Sequence, residues 1–413
     1  MTSLEKELYA SFLFFMNEAN HDPNSTGYGL ILDDSRKLDR ASIASVGFGL
    51  SAYVIGVENG YIERQSAIEL VKGTFRTFLN NVDHFKGFYI HYLDMNTAEL
   101  YKKCEYSTID TVIFMNGAIT CDSYFDDVEV HLLFNELFSR LDFRPFIKIH
   151  KGKKVFRMAY NPIQGGDYRA TSEDPWIYQW HMYAEQLSMY FVAAATDTLS
   201  SDEAKELYLG FDRNRGSYGG YEYLYSPTNA LFIYQYSHAW VDFRNLIGPD
   251  GIDWFENSRN ASLANKQYCI DMQVRYPILN EKAWGLTACL TPKGYRNQCI
   301  LPNDLSKDEE HISGVLPPSG ALGSIVFTEK ESLDVLQTLE EKYQESFQKY
   351  GFTDGISLLE NNQLWVSDGY IGINKGITVL MIDNYLHGTT WKYYMKHPLI
   401  QKAIRKLSFR KKD

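Results

Sequence analysis

The stretch Thr328-Glu329-Lys330-Glu331-Ser332-Leu333-Asp334-Val335-Leu336-Gln337-Thr338-Leu339, running on to Tyr343 and Phe347, decides the fold class. Leu333, Leu336, Leu339, Tyr343 and Phe347 recur at the spacing of one helical face, with charged residues between them. Thr328, followed three residues later by Glu331, predicts a capping box at the start. Outward from this segment the same period returns at Ile68, Val71, Phe75 and Phe78, at Ile109, Val112 and Ile113, and at Leu187, Tyr190, Phe191 and Ala194. A mainly helical chain is expected.

Breaks fall at Asp22-Pro23, Asn161-Pro162, Asp174-Pro175, Ser226-Pro227, Gly248-Pro249, Thr291-Pro292 and Pro317-Pro318. They are scattered, and no Ser/Gly/Pro tract pools them into a linker. The 413 residues are therefore expected to form one domain, 1–413, with long loops between helices. Phe146 to Ile149 and Lys154 to Arg157 read as a small hairpin around Lys151-Gly152, a decoration on the helical body.

A formal net charge of −11 opposes any sequence-independent grip on phosphate backbones, so nucleic acid is not an expected partner. The basic run from Arg405 to Lys412 reads as a solvated end. Cys104, Cys121, Cys269, Cys289 and Cys299 contain no C-x-x-C pair and leave an odd one out, which suits reduced buried thiols. The apolar cluster from Phe12 to Met16 is short and follows Glu5 and Glu7, so neither a signal peptide nor a membrane span is expected. The cytoplasm and no membrane partner are the corresponding expectations. Aromatic residues make up 15% of the chain, 30 of them Tyr, which fits a core first and a sugar-stacking cleft second.

Gly47-Phe48-Gly49-Leu50-Ser51-Ala52 loosely matches a dinucleotide fingerprint but lies inside a helical pattern, where helix packing explains it. No G-x-S-x-G, Walker lysine or H-E-x-x-H pattern occurs, and no histidine pair has metal-ligand spacing. Neither metal nor cofactor is expected. What remains are carboxylates in aromatic, polar settings: Asp110, Glu185 and Asp242. Glycosidic cleavage needs one carboxylic acid to protonate the leaving oxygen and a second group to activate water or attack the sugar. Structural alternatives stand beside each: a helix-start carboxylate for Asp110, a solvated helix face for Glu185, and an ion pair with Arg244 for Asp242. The dense run Tyr234-Gln235-Tyr236-Ser237-His238-Ala239-Trp240-Val241-Asp242-Phe243-Arg244 suggests a pocket wall.

Several segments follow one another in a familiar order: Ser45 to Ala52, Ile55 to Ile62, Gly87 to Asp94, Ser107-Thr108-Ile109-Asp110-Thr111, Tyr183-Ala184-Glu185, Gln235-Tyr236-Ser237-His238, Trp284-Gly285-Leu286-Thr287-Ala288 and Leu380 to Tyr385. In them the chain resembles the glucoamylase-like family, which includes the β-1,2-glucan hydrolases of glycoside hydrolase family 144. The resemblance implies an all-α (α/α)6 toroid with minor β decoration and an inverting hydrolysis of β-1,2-linked glucan or its oligosaccharides. It implies Asp110 and Glu185 as the catalytic pair, and His91, Tyr183, Tyr236, His238, Asp242, Arg244 and Trp284 as substrate-binding residues. Two departures stand out: Asn374 occupies the place of an acid in the family's I-D-x-G pattern, and Asp383 replaces the Glu of I-E-N. Ser313-Gly314-Val315 also loosens a D-G-T segment. These departures keep two rivals open, a carbohydrate-binding or regulatory protein without turnover and an enzyme for another linkage or for transglycosylation.

Overall fold

The structure is a computed structural model, and it describes residues 1–166, 174–226, 229–300, 302, 312–359 and 361–412. Pro227, in one of the expected breaks, lies outside the described residues. Fourteen α-helices are present among those described: α1 (Ser3–Asn17), α2 (Ile43–Glu58), α3 (Arg64–Asn80), α4 (Thr108–Phe125), α5 (Val128–Ser139), α6 (Leu187–Ala195), α7 (Ser201–Gly210), α8 (Phe232–Gln235), α9 (Trp254–Asp271), α10 (Pro318–Leu322), α11 (Glu329–Lys342), α12 (Gly372–Leu386), α13 (Thr389–Lys396) and α14 (Pro398–Lys406). The strands lie in small antiparallel sheets of two to four. No helix among the described residues is long and apolar enough to cross a membrane.

The helices differ in how they meet solvent. Residues Ile43 to Gly56 of α2 are buried without interruption, and α4, α6 and α12 are nearly as enclosed. An all-round buried helix belongs to the interior. By contrast α3 and α11 bury one face only: Ile68, Val71, Phe75 and Phe78 of α3 point inward, as their spacing predicted. The buried helices touch in succession. α2 packs on α4 and α12, α4 on α6, α6 on the 3₁₀ turn Tyr236–Ala239 that continues α8, and α10 on α12. Gln235 of α8 joins α10 by donating its amide to the Gly320 carbonyl at 2.8 Å.

The tightest of these contacts explains the glycines at 47 and 117. A Cβ on Gly47 would meet the Ile113 carbonyl oxygen at 2.3 Å, and one on Gly117 would meet the Gly47 carbonyl oxygen at 2.1 Å. Backbone presses on backbone, so the glycine-containing run in α2 serves helix packing.

Three local expectations need correction. α11 ends at Lys342, leaving Tyr343 as its C-cap and Phe347 40% exposed in a short strand. Its helical stripe is thus shorter than the spacing suggests, because the chain turns into a 3₁₀ segment at Gln344–Ser346. Thr328 makes no capping box; its hydroxyl donates instead to the Ser324 carbonyl at 3.1 Å. The expected hairpin exists, with strands Ile147–His150 and Lys153–Tyr160 and positive φ at Lys151 and Gly152, but it is more than decoration. Strand Lys153–Tyr160 also pairs with Tyr106–Ser107 and with Trp176–Gln179. It therefore ties the start of α4 to the chain leading into α6.

Gly117→Ala should destabilise the protein by about 1–3 kcal/mol through overpacking at the α2–α4 contact. Chemical denaturation measures this, and an unchanged midpoint would show that the two backbones are not in contact.

Candidate active site

Asp110 and Glu185 owe their positions to the strand just described. Ser107, which pairs with Ala159, is the N-cap of α4, and its hydroxyl donates to Asp110 Oδ2 at 2.5 Å. Thr108 donates to the Met158 carbonyl at 2.6 Å and accepts from Trp180 Nε1 at 3.1 Å. Trp180 is in turn fixed by its backbone N–H to the Phe156 carbonyl at 2.8 Å. From Trp180 the chain runs irregularly to Glu185, whose carbonyl accepts the Ser237 hydroxyl at 2.7 Å. Glu185 lies before α6, not on it, because Gln186 is the helix N-cap. The solvated helix face considered for this residue is thereby corrected.

Burial pushes the Glu185 carboxyl up to about 7, and the negative charge of Asp110 adds to the shift. A cavity of about 220 Å³ opens beside it, lined by Met158, Trp180, Met182, Ala184 and Phe232 among others. Asp110 sits in the first turn of α4, where the helix dipole favours an anion. Its helix-start role and its place beside Glu185 coexist. His91 points Nε2 at Asp110 Oδ2, 3.6 Å away, and Nδ1 at Glu105 Oε1, 2.7 Å away. Burial opposes the imidazolium, yet the two carboxylates hold its pKa up at about 9.

Tyr236 lies within electrostatic reach of Glu185, Asp110, Asp354 and Asp33, and its own ionisation is pushed far up, by burial first and by those charges next. Four carboxylates thus share one end of the helix assembly. Asp33 is paired with Arg40, whose guanidinium lies over the Tyr92 ring. Asp34 is held by Arg36 through Nε at 2.9 Å and Nη2 at 2.8 Å. Tyr295, 46% exposed on the hairpin of Cys289–Thr291 and Gly294–Arg296, reaches Tyr236 and Asp354 electrostatically. Sequence reading missed Asp33, Asp354 and Tyr295. The flanking glycines Gly351 and Gly355 were the available signal for Asp354, since a carboxylate in a glycine-flanked loop has no helical face to serve.

Asn374 and Asp383 have distinct roles. The Asn374 amide donates to Asp354 Oδ1 at 2.8 Å and to the Ala288 carbonyl at 2.9 Å. It is a neutral clamp on a buried acid. Burial raises Asp354 to about 6, against the hydrogen bonds from Asn374 and from Leu290 N–H. Asp383 lies nine residues further along α12, about 14 Å away at the helical rise. There it accepts from Asn59 Nδ2 and from Thr389 N–H, closing the C-terminal end of the helix.

Of the other residues expected around substrate, Tyr183 lines the cavity beside Glu185, whereas His238, Trp284, Asp242 and Arg244 do not. His238 is 1% exposed, packed against Phe243, Phe255 and Phe327, and its Nε2 meets Ser258 Oγ at 2.9 Å. Burial drives its pKa down to about 3, so it stays neutral inside the fold. Tyr183 stacks on Trp254 at 5.0 Å and is fully buried. Trp284 is equally buried and donates to the Glu331 carbonyl at 3.3 Å; its neighbour Gly285 lies against Gly320 of α10. Asp242 and Arg244 pair with each other at 2.7 Å, with Arg244 stacked over Trp391 in a separate groove that also includes His387, at the far end of α12. The ion-pair alternative for Asp242 describes this geometry. Among the described residues no group of three or more His, Cys, Asp or Glu is arranged to hold a metal ion.

Comparison with known proteins places this geometry in context. A family model described as "Putative glucoamylase" (Glycoamylase) matches residues 177–398, more than half of the chain. The chain is 26% identical, over 96% of its length, to an exo β-1,2-glucooligosaccharide sophorohydrolase (non-reducing end) of Parabacteroides distasonis, and it spans 56% of that relative's length. An endo-β-1,2-glucanase from Chitinophaga pinensis, solved with sophorotriose and glucose, matches with a TM-score of 0.85 at 24% identity, covering 99% of this chain and 98% of that one. A Bacteroides fragilis protein bearing the family's own description matches at 26% identity with a TM-score of 0.84, covering 100% and 97% of the two chains.

A carboxyl raised in the native state costs stability once the unfolded form ionises. Between the ordinary Glu value of 4.5 and about 7 the native protein binds more protons, so stability falls as pH rises through that window. Glu185→Gln should accordingly be more stable than wild type by about 1–3 kcal/mol at pH 8, at roughly 1.4 kcal/mol per pKa unit. The gain should vanish near pH 4. Urea unfolding at the two pH values decides it; a gain equal at both would mean that Glu185 is not held protonated.

Proposed function

We propose that this chain, which belongs to the Glycoamylase family, is a glycoside hydrolase that cleaves β-1,2-linked glucooligosaccharides by inversion, with Glu185 as general acid and Asp110 as general base. The observation that carries the reading is the division of labour between two neighbouring carboxylates. Glu185 keeps its proton to about pH 7 by burial, as an acid must, while Asp110 takes a hydroxyl hydrogen bond and a histidine, as an anion does. Inversion then follows one course. Glu185 gives its proton to the oxygen leaving the scissile bond, and Asp110 takes a proton from a water attacking the opposite face of the sugar.

The substrate class is supported by two relatives, one a sophorohydrolase of β-1,2-glucooligosaccharides and one an endo-β-1,2-glucanase. The exposed Tyr295, within electrostatic reach of Tyr236 and Asp354, supplies the apolar face and hydroxyl edge that a sugar ring requires. The succession of buried helices, each touching the next from α2 round to α12 and back to α2, supports a single (α/α)6 toroid over 1–413 with the carboxylates at one mouth. Short oligosaccharides are the proposed substrate. Asn374, the departure that favoured a protein without turnover, instead braces an acid that this chain retains at Asp354.

Incubation with β-1,2-glucooligosaccharides and a panel of other glucans should release product from the β-1,2 linkage alone. Asp110→Asn and Glu185→Gln should each lower kcat by about 10²–10⁴-fold. An aryl glycoside whose leaving group needs no proton should restore turnover in Glu185→Gln and leave Asp110→Asn inactive. Restoration of Asp110→Asn instead would reverse the two roles, and binding without turnover by wild type would replace the hydrolase with a sugar-binding protein.

A further inference from the structure

His91 is an unusual histidine. Its ring is anchored from three sides: Nδ1 faces Glu105 Oε1 at 2.7 Å, Nε2 faces Asp110 Oδ2 at 3.6 Å, and the ring stacks on Tyr92 at 3.9 Å between centroids and 16° between planes. Its backbone is fixed as well. The His91 N–H donates to the Glu105 carbonyl at 2.9 Å, and the His91 carbonyl accepts from Ile43 N–H, at the start of α2, at 3.2 Å. Glu105 and Asp110 are themselves 12% and 15% exposed at their side chains. Such a ring has little freedom to swing onto a ligand.

We propose that Glu105 and His91 are positioning residues that keep Asp110 ionised and oriented: Glu105 fixes the Nδ1 proton of His91, and His91 presents a second proton to Asp110. This deepens the hydrolase reading of the site and rests on it. Ser107 and His91 both act on Oδ2 of Asp110, so Oδ1 is the oxygen that takes the proton from water. A general base next to a protonated general acid faces a specific difficulty. Any loss of its charge lets the two carboxyls share a proton, and the pair no longer performs two roles. A cation beside Asp110 opposes this.

The surroundings of His91 favour that charge. Asp33 adds to the negative potential, and Arg40, over the face of Tyr92, is committed to Asp33. The remaining titratable neighbours, Tyr92 and Cys104, are pushed up by burial and stay neutral. The balance around the imidazole is three carboxylates against one guanidinium. The histidine therefore belongs to the charge arrangement of the site, in place of the substrate contact its motif implied.

Two measurements test this. In ¹⁵N-labelled protein, with His91→Gln used for assignment, the His91 imidazole should be doubly protonated at pH 7 in wild type and should lose its second proton at a lower pH in Glu105→Gln than in wild type. In the pH dependence of kcat/KM on a β-1,2-glucooligosaccharide, Glu105→Gln and His91→Gln should move the acid limb upward by about one pH unit, as expected for loss of a charge within 4–6 Å. The basic limb, which reports Glu185, should stay in place. A neutral His91 in wild type overturns the proposal, and so does a loss of rate that is equal at every pH, which is what a merely structural role would give. If wild type leaves the oligosaccharides intact, the hydrolase reading falls and the positioning role with it, even where the imidazole titrates as expected.

Discussion

A helix buried on every face has no side on which to carry chemistry. α2 is the extreme case, enclosed along nearly its whole length and pressed through Gly47 against the backbone of α4. Polar groups that must reach a ligand are then confined to helix ends and to the segments that enter them. That restriction organises the molecule. Asp33 and Asp34 precede α2, Asp110 sits in the first turn of α4, Glu185 precedes α6, and Asn374 lies in the first turn of α12. Asp110 and Glu185 stand at N-terminal ends, where unpaired N–H groups and the helix dipole favour acidic partners, while Asp33 and Asp34 lie in the chain ahead of strand Arg40–Ser42. The opposite ends are closed by structural devices such as Asp383 and the Arg244–Trp391 stack.

Burial also differentiates groups that are chemically alike. Glu185, Asp354 and Asp383 are all raised by desolvation, but their neighbours separate their purposes. Asp383 spends its oxygens on Asn59 and Thr389 and serves the helix end. Asp354 is met by Asn374 and Leu290 and is held as part of the cleft wall. The Glu185 carboxyl instead faces a cavity and another acid.

The helices and their inward faces were legible from periodicity alone, as α3, α4 and α6 illustrate. Helix ends were less so: the stripe through Tyr343 and Phe347 satisfied the period but not the backbone, which turned at Lys342. Asp110 and Glu185 could be singled out as acids in aromatic surroundings and through family order. The pocket wall inferred from Tyr234 to Arg244 was legible only in part, because aromatic density does not distinguish a cleft from a core. In that run Tyr236 reaches the carboxylates while His238 is sealed among phenylalanines. The meeting of Asp354 and Tyr295 with the other acids was illegible for another reason. They come from loops distant in sequence from Asp110, and no local pattern encodes that meeting.

The strand Lys153–Tyr160 serves both acids. Asp110 is tied to it through Ser107 and Thr108, and Trp180, five residues before Glu185, is tied to it through its backbone, so one strand anchors both approaches to the site. The segment that carries Asp354 leads into a separate sheet, so it can change in length or composition without disturbing these two ties.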